Sequence, residues 1–407
     1  MIYNAVQSSH GSRVVFLVVL LMCGCLVCTG CGLKDDHSSA GGADAHGLVR
    51  SQDSNSQGIP RSTLTSPDGG VHRGDLGRAG SYNASGPNRF QHRKHLFTGT
   101  GRALGSPAVF GGMAFFGTTA GFFYAVNAET GAEKWRFLAG AIASSPGVAG
   151  DYVYFGADDG HLYAMNASTG KEVWRFKTRG RVQGAPVVYK GAVYFGSMDG
   201  FLYALDADTG ALMWKAGLGA GHVEPAIADG RIFARSGEFL VALDVETGRV
   251  LWTVATGGCC QGIAVVSGTV LTLTGRSLHA FEAETGQVKW TFEAEEEVRS
   301  TAPIATADGI VFFPDGKGNL YAVYIDTGGT YWTKETDGSG IYLLSVAGGT
   351  LYYVTSKRDL RAMNFRFPQE VWRSEVGDVH AGPVASGRSV YLLLNGINES
   401  GLAAFNE

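Results

Sequence analysis

Along the last three quarters of the chain, short apolar runs alternate with polar, turn-rich breaks, and the alternation itself repeats. In residues 144–176, SSPGVAGDYVYFGADDGHLYAMNASTGKEVWRF, runs such as Val153–Phe155 and Leu162–Met165 are aromatic and β-branched and are bounded by Gly, Asp and Asn. Such runs read as strands, four to the unit. The first follows Pro146, Gly150-Asp151 turns into the second, and Asp158-Asp159-Gly160 turns into the third. The turn ending Thr169-Gly170 leads to the fourth, centred on Trp174. Every connection is short, so neighbouring strands are expected to pair antiparallel as a meander.

The unit recurs with a period near 40. All seven tryptophans mark it: Trp135, Trp174, Trp214, Trp252, Trp290, Trp332 and Trp372. A Gly precedes each of the first six by four residues, and four residues before that Gly stand Asn127, Asn166, Asp206, Asp244, Glu282 and Tyr324. In the first four, an Asx side chain can accept backbone N–H groups of the turn while the Gly takes positive φ. Pro368 holds the Gly position of the seventh repeat, so a different turn is expected there.

Eight positions open a first strand: Pro107, Pro146, Pro186, Pro225, Ile263, Pro303, Ser345 and Pro383. The eighth unit ends after its third strand, and 39 residues before Trp135 lies Leu96, in a segment able to supply the missing fourth. Residues 90–407 divide into eight units of about 40 residues, the length of a four-stranded propeller blade. The expectation is an all-β, eight-bladed β-propeller of four-stranded antiparallel blades, with the ring closed by an N-terminal strand near Leu96 so that exposed sheet edges are removed. A seven-bladed ring with an unpaired terminal segment would use the same tryptophans, whereas an open solenoid would need caps.

Ahead of the ring, residues 14–27 form an apolar run after Arg13, short for a span and the size of a secretory h-region. The sequence Val27-Cys28-Thr29-Gly30-Cys31 that follows resembles a bacterial lipobox. On that resemblance residues 1–31 are a lipoprotein-type signal peptide, with Cys31 the lipidated residue. Cys28 departs from the usual Leu, Cys25 is an alternative site, and an uncleaved anchor extending to Leu33 is the other reading. Residues 32–89 are crowded with Ser, Gly and Asp and cannot bury enough apolar surface to fold. They read as a disordered tether with a reach of roughly 40 Å. Both readings put the propeller outside the cytoplasm and tied to a membrane, facing the periplasm from the outer membrane if the cell has two membranes and at the cell surface otherwise.

The phased segments LYAMNASTGKEVW, from Leu162, and LYALDADTGALMW, from Leu202, resemble the quinoprotein-type repeat of PQQ-like β-propellers over residues 90–407. No Trp-Asp dipeptide occurs, which separates the chain from the WD-repeat family of similar period. The resemblance implies that the seven tryptophans dock between adjacent blades. It also implies two kinds of function. Quinoprotein dehydrogenases of this family bind pyrroloquinoline quinone (PQQ) with calcium in the central cavity and carry a vicinal disulfide, for which Cys259 and Cys260 are the candidates. Other members are catalytically empty, among them the lipoprotein component of the outer-membrane β-barrel assembly machinery, similar in length, blade count and amino-terminal signal. The expectation is of that second kind: a protein-binding scaffold without cofactor, acting in outer-membrane protein assembly, with a PQQ-dependent oxidoreductase or a propeller that binds wall polymer or a small ligand in its channel as the alternatives.

Further chemistry is thin. His161, His222, His279 and His380 fall in different repeats without metal-ligand spacing, and no nucleophile elbow, phosphate loop or HExxH sequence is present. Asp158, Asp159 and Asp199 sit beside turn glycines, where hairpin chemistry accounts for them. With 33 basic and 37 acidic side chains the net charge is −4, which gives a nucleic-acid partner no electrostatic support. Local contrast says more. Lys177, Arg179 and Arg181 follow Trp174, whereas Glu293, Glu295, Glu296 and Glu297 follow Trp290. Loops joining successive blades share one face of a propeller, so Lys177, Arg179, Arg181, Glu295, Glu296 and Glu297 are the candidate partner-binding residues.

Overall fold

The computed structural model describes residues 81–82, 92–219, 223–258, 261–298, 303–386, 388–396 and 399–406. Cys31, Cys259, Cys260 and the proposed signal peptide lie outside these residues, as does nearly all of the proposed tether. The described secondary structure is strand and turn throughout, arranged in eight sheets. No helix among the described residues is long and apolar enough to cross a membrane.

Seven sheets are consecutive antiparallel meanders, blades 1 to 7, over residues 108–138, 147–177, 187–217, 226–255, 261–293, 305–334 and 341–375. The eighth combines Val379–Ser386, Ser389–Asn395 and Glu399–Asn406 with an outermost strand from the front of the chain, His92–Thr100. That strand pairs antiparallel with Glu399–Asn406 and closes the ring. Leu96 itself is the bulged residue in this pairing. Elsewhere Trp214 stands opposite Ala204; in blade 8 the residue opposite the corresponding Ala404 is Lys94.

Turn chemistry follows the sequence closely. The Asn127 Oδ1 accepts from the Thr130 N–H at 2.7 Å, and Asn166, Asp206 and Asp244 repeat the contact with Thr169, Thr209 and Thr247. In blade 7, Asn364 accepts from the Arg366 and Phe367 N–H groups, and with Pro368 in place of Gly the turn differs from the others. The glycines of these turns have φ between +67° and +76° in blades 1 to 6. They also lack room for a side chain: a Cβ on Gly170 would fall 2.5 Å from the ring of Trp135, one blade back.

The core lies between blades rather than within them. Separate apolar clusters join blades 1 and 2, 2 and 3, and so on to 6 and 7, and one larger cluster joins 7, 8 and 1. Each indole reaches across such a joint. The Trp135 Nε1–H donates to the Ala167 carbonyl at 2.8 Å and that of Trp174 to Ala207 at 2.9 Å; Trp214, Trp252, Trp290 and Trp332 do the same to Val245, Ala283, Ile325 and Phe365. Trp372 stacks on Phe405 of blade 8. Buried aromatic area with a satisfied polar edge is what locks one blade onto the next.

Candidate protein-interaction face

The meander sorts the loops onto two faces. The upper face carries the interblade loops together with the turns between second and third strands, which bond to one another: the Met198 N–H donates to the Arg181 carbonyl at 2.8 Å and the Thr178 N–H to Gly160 at 2.9 Å. The lower face carries the remaining turns, joined by bonds such as Ala167 N–H to the Asp151 carbonyl.

Two upper-face loops share one construction with opposite charge. Between blades 2 and 3, Thr178 and Val182 are buried and anchor the loop at both ends, while Lys177, Arg179 and Arg181 alternate with them and are exposed. The Thr178 Oγ lies 2.7 Å from the Gly180 carbonyl and 3.0 Å from that of Gly160. The Arg179 N–H donates to Asp199 Oδ2 at 3.0 Å, and the Arg181 guanidinium stands 3.9 Å from Asp158. Between blades 5 and 6 the anchors are Ala294 and Val298, and Glu293, Glu295 and Glu297 occupy the alternating exposed positions. The Glu297 carbonyl accepts from Gly316 N–H, as that of Arg181 does from Met198, and the Glu295 N–H donates to the Tyr321 hydroxyl. Glu296 pairs with Lys317. Counted from Trp174 and Trp290, Lys177, Arg179 and Arg181 correspond to Glu293, Glu295 and Glu297. The two charge sets are not brought together: three of the eight blade steps separate them. The loop between blades 1 and 2, Ala139-Gly140-Ala141, is uncharged, and the acidic side continues with Glu335, Asp337, Glu375 and Asp378.

The aspartates beside the turn glycines are consumed by the fold. Tyr163 donates its hydroxyl to Asp159 Oδ2 at 2.6 Å and Tyr203 donates to Asp199 Oδ2 at 2.7 Å. Burial raises the pKa of both tyrosines, and the carboxylate each one faces raises it further. Burial of Asp159 works against its charge, but bonds from Tyr163 and His161 hold its pKa below the ordinary carboxylate value. His161 and His279 lie in blades 2 and 5; His279 sits between Thr274 and Thr291, and burial lowers its pKa.

Blade 7 holds a cluster that sequence reasoning missed. Arg361 stands where the repeat has Tyr and is 5% exposed. Its guanidinium donates to Asp359 Oδ2 at 2.8 Å and, across to the interblade loop, to Asp337 Oδ2 at 2.7 Å. Lys357 also reaches Asp337, at 2.9 Å. Burial disfavours the guanidinium charge, yet the two carboxylates outweigh it and raise its pKa. Asp337 is held well below the usual range by the Ser339 hydroxyl and by Arg361. The only sequence signal is Leu360-Arg361-Ala362 in place of Leu-Tyr-Ala.

At the closing seam, Asn395 makes paired bonds with the Ala103 N–H (2.9 Å) and carbonyl (3.0 Å), tying blade 8 to the loop that enters blade 1. A cleft of about 230 Å³ opens beside it, lined by His95, Thr98, Asp378 and Ser400 among others. Among the described residues no group of three or more His, Cys, Asp or Glu side chains is placed to hold a metal ion.

The ring, its antiparallel blades and the phased indoles define a PQQ-like β-propeller. Residues 119–217 and 274–404, more than half of the chain, match the family described as outer membrane protein assembly factor BamB, and the chain belongs to that family. Similar solved structures include BamB from Moraxella catarrhalis, at 18% identity with a TM-score of 0.63, covering 77% of this chain and 100% of that one. The computationally designed Ika8 protein, at 16% identity and a TM-score of 0.67, has the same coverage. The quinohemoprotein alcohol dehydrogenase ADHIIG from Pseudomonas putida HK5 is 13% identical with a TM-score of 0.68, covering 83% of this chain and 80% of that one. At these identities the likeness is one of fold. No curated protein sequence is similar enough to count as a relative.

Proposed function

We propose that the chain is a lipid-anchored, extracytoplasmic scaffold that binds a protein partner across its upper face in outer-membrane protein assembly. Family membership supports the scaffold class and the assembly process. The observation that carries the face is the pair of equivalent loops, with Arg179 and Arg181 on one and Glu295 and Glu297 on the other, fixed at their ends by buried residues. A rigid face with separated charges orients a complementary partner and speeds its encounter more than it adds raw affinity. Cys31 would supply the membrane tie and residues 32–89 the tether.

The test is affinity capture of the full-length protein from mildly solubilised membranes, with Cys31→Ala as the control for anchoring and mass spectrometry of what co-elutes. Recovery of a β-barrel assembly component is expected, falling about tenfold with Arg179→Glu/Arg181→Glu, because rim charges act chiefly on association. Capture unchanged by the charge reversal would remove this face. The alternative is a PQQ-dependent oxidoreductase with calcium, for which Cys259 and Cys260 are the candidate residues. Stoichiometric quinone and calcium uptake by purified protein would displace the scaffold reading.

A further inference from the structure

Inner strands differ in length around the ring, and in blades 1 to 7 the difference follows proline, whereas the eight-residue inner strand of blade 8, Val379–Ser386, contains Pro383. In blades 1, 2, 3 and 4 a proline stands directly before the inner strand, and in blade 6 one residue separates them; each of these strands has three residues, as in Ala108–Phe110 or Gly147–Ala149. Proline has no N–H to give to a ladder. In blade 8 the register breaks around Pro383. Where Ile263 and Ser345 replace proline the inner strands lengthen, to Gln261–Val266 in blade 5 and Ile341–Ala347 in blade 7.

The Pro-free edge of blade 7 is in use. Ser81–Tyr82 pairs with it in parallel, Ser81 opposite Val346 and Tyr82 opposite Ala347, and also touches the inner strands of blades 6 and 8. The segment is therefore placed in the central channel, at the end nearer the lower face. Chain connectivity does not force it there. Nine residues separate Tyr82 from His92, a reach of up to about 30 Å, whereas three strand spacings across a blade amount to about 15 Å. Next to the paired positions, Ser345 is 2% exposed and its Oγ has no hydrogen-bond partner among the described residues.

We infer that the inner edge of blade 7, Ile341–Ala347, is an acceptor site for an extended polypeptide strand, and that its resident occupant is the chain's own segment at Ser81–Tyr82. Main-chain bonding to an open edge is the recognition mode, so an occupant is chosen for being extended and free of proline where N–H groups are needed. The pairing is short and parallel, the weaker ladder geometry, which makes the segment exchangeable. A ligand entering the channel from that end competes with it. The inference rests on the ring and not on the proposed partner of the upper face.

Hydrogen exchange on the full-length protein tests it, comparing wild type with Tyr82→Pro and with deletion of residues 78–85, which leaves the closing strand intact. Amides of 341–347 should exchange about tenfold faster in both variants, the effect of losing one or two backbone bonds, while Gln261–Val266 in blade 5 is unchanged. A synthetic peptide of residues 78–85 added to the deletion variant should restore protection. Unchanged exchange at 341–347 overturns the inference. So does lost protection that the peptide fails to restore, and so does faster exchange throughout the ring, since the segment would then hold the fold together instead of filling a site.

Discussion

Blades 2 and 3 solve each problem twice in the same way. Tyr163 and Tyr203 donate to Asp159 and Asp199. The carbonyl of Ala207 receives both Trp174 Nε1–H and the Tyr154 hydroxyl, and that of Val245 receives Trp214 and Tyr194. Blades 7 and 8 keep the strand order and change the chemistry. Arg361 replaces the tyrosine, with two aspartates around it, and Lys94 replaces the indole, its Nζ donating to the Glu129 carbonyl at 3.0 Å. The repeat thus fixes a set of polar positions at the joints and loops, and leaves open which side chains occupy them.

The largest expected effect lies in blade 7. Arg361→Leu leaves Asp359, 9% exposed, without its cation, and breaking a buried pair from one side costs about 3–5 kcal/mol. Tyr203→Phe removes a single hydroxyl bond from the more open Asp199 and should cost about 1 kcal/mol. Chemical denaturation of the two variants measures the contrast. Equal losses would mean that the arginine cluster is no tighter than the tyrosine pairs it replaces.

Next in size is the indole against its substitute. Trp174→Ala removes ring packing against Tyr154 and the bond to blade 3, and should cost about 3 kcal/mol. Lys94→Ala at the corresponding place in blade 8 removes one exposed bond and should stay within about 0.5 kcal/mol. Asn395 and the larger shared cluster of blades 7, 8 and 1 hold that joint instead. A loss for Lys94→Ala approaching that of Trp174→Ala would show the seam to depend on the closing strand's side chain after all.

The ring was legible because its causes are local and repeat. Tryptophan spacing, Asx-to-Gly turns and strand-length apolar runs each recur in phase, so eight blades and a closing strand near Leu96 could be read from the sequence, and the structure gives that strand as His92–Thr100. The double duty of the turn glycines was not, since what each meets, the Leu96 backbone for Gly131 and an indole for the other five, belongs to the neighbouring blade. Nor was the Arg361 cluster, whose partner Asp337 lies 24 residues earlier in a loop. The replacement of proline by Ser345 was visible, but its consequence, an open edge in the channel, appears only when Ser81–Tyr82 is seen on it. The charged loops were identified by composition. Their identical anchoring emerges from burial at Thr178, Val182, Ala294 and Val298.

The smallest effect expected is on acid stability, and its sign follows from Asp337. The Ser339 hydroxyl and Arg361 hold its pKa below the unfolded value of 3.8. A carboxylate depressed on folding contributes stability above its unfolded pKa and loses it as pH falls toward the folded value. Blades 2 and 3 have no counterpart in their interblade loop, where Arg179 and Arg181 stand. Asp337→Asn should therefore lower the melting temperature at pH 5 to 7, with the gap to wild type closing as pH falls below about 4. Melting curves by near-ultraviolet circular dichroism across that range measure it. Because Asp337 is partly exposed, with its side chain 37% accessible, solvent and salt screen the interaction and the gap should also shrink in high salt. A gap that persists undiminished at pH 3 would mean that Asp337 supports blade 7 through the shape of its loop and its bond to the Ser339 hydroxyl, with the charge on Arg361 satisfied by Asp359 and Glu370.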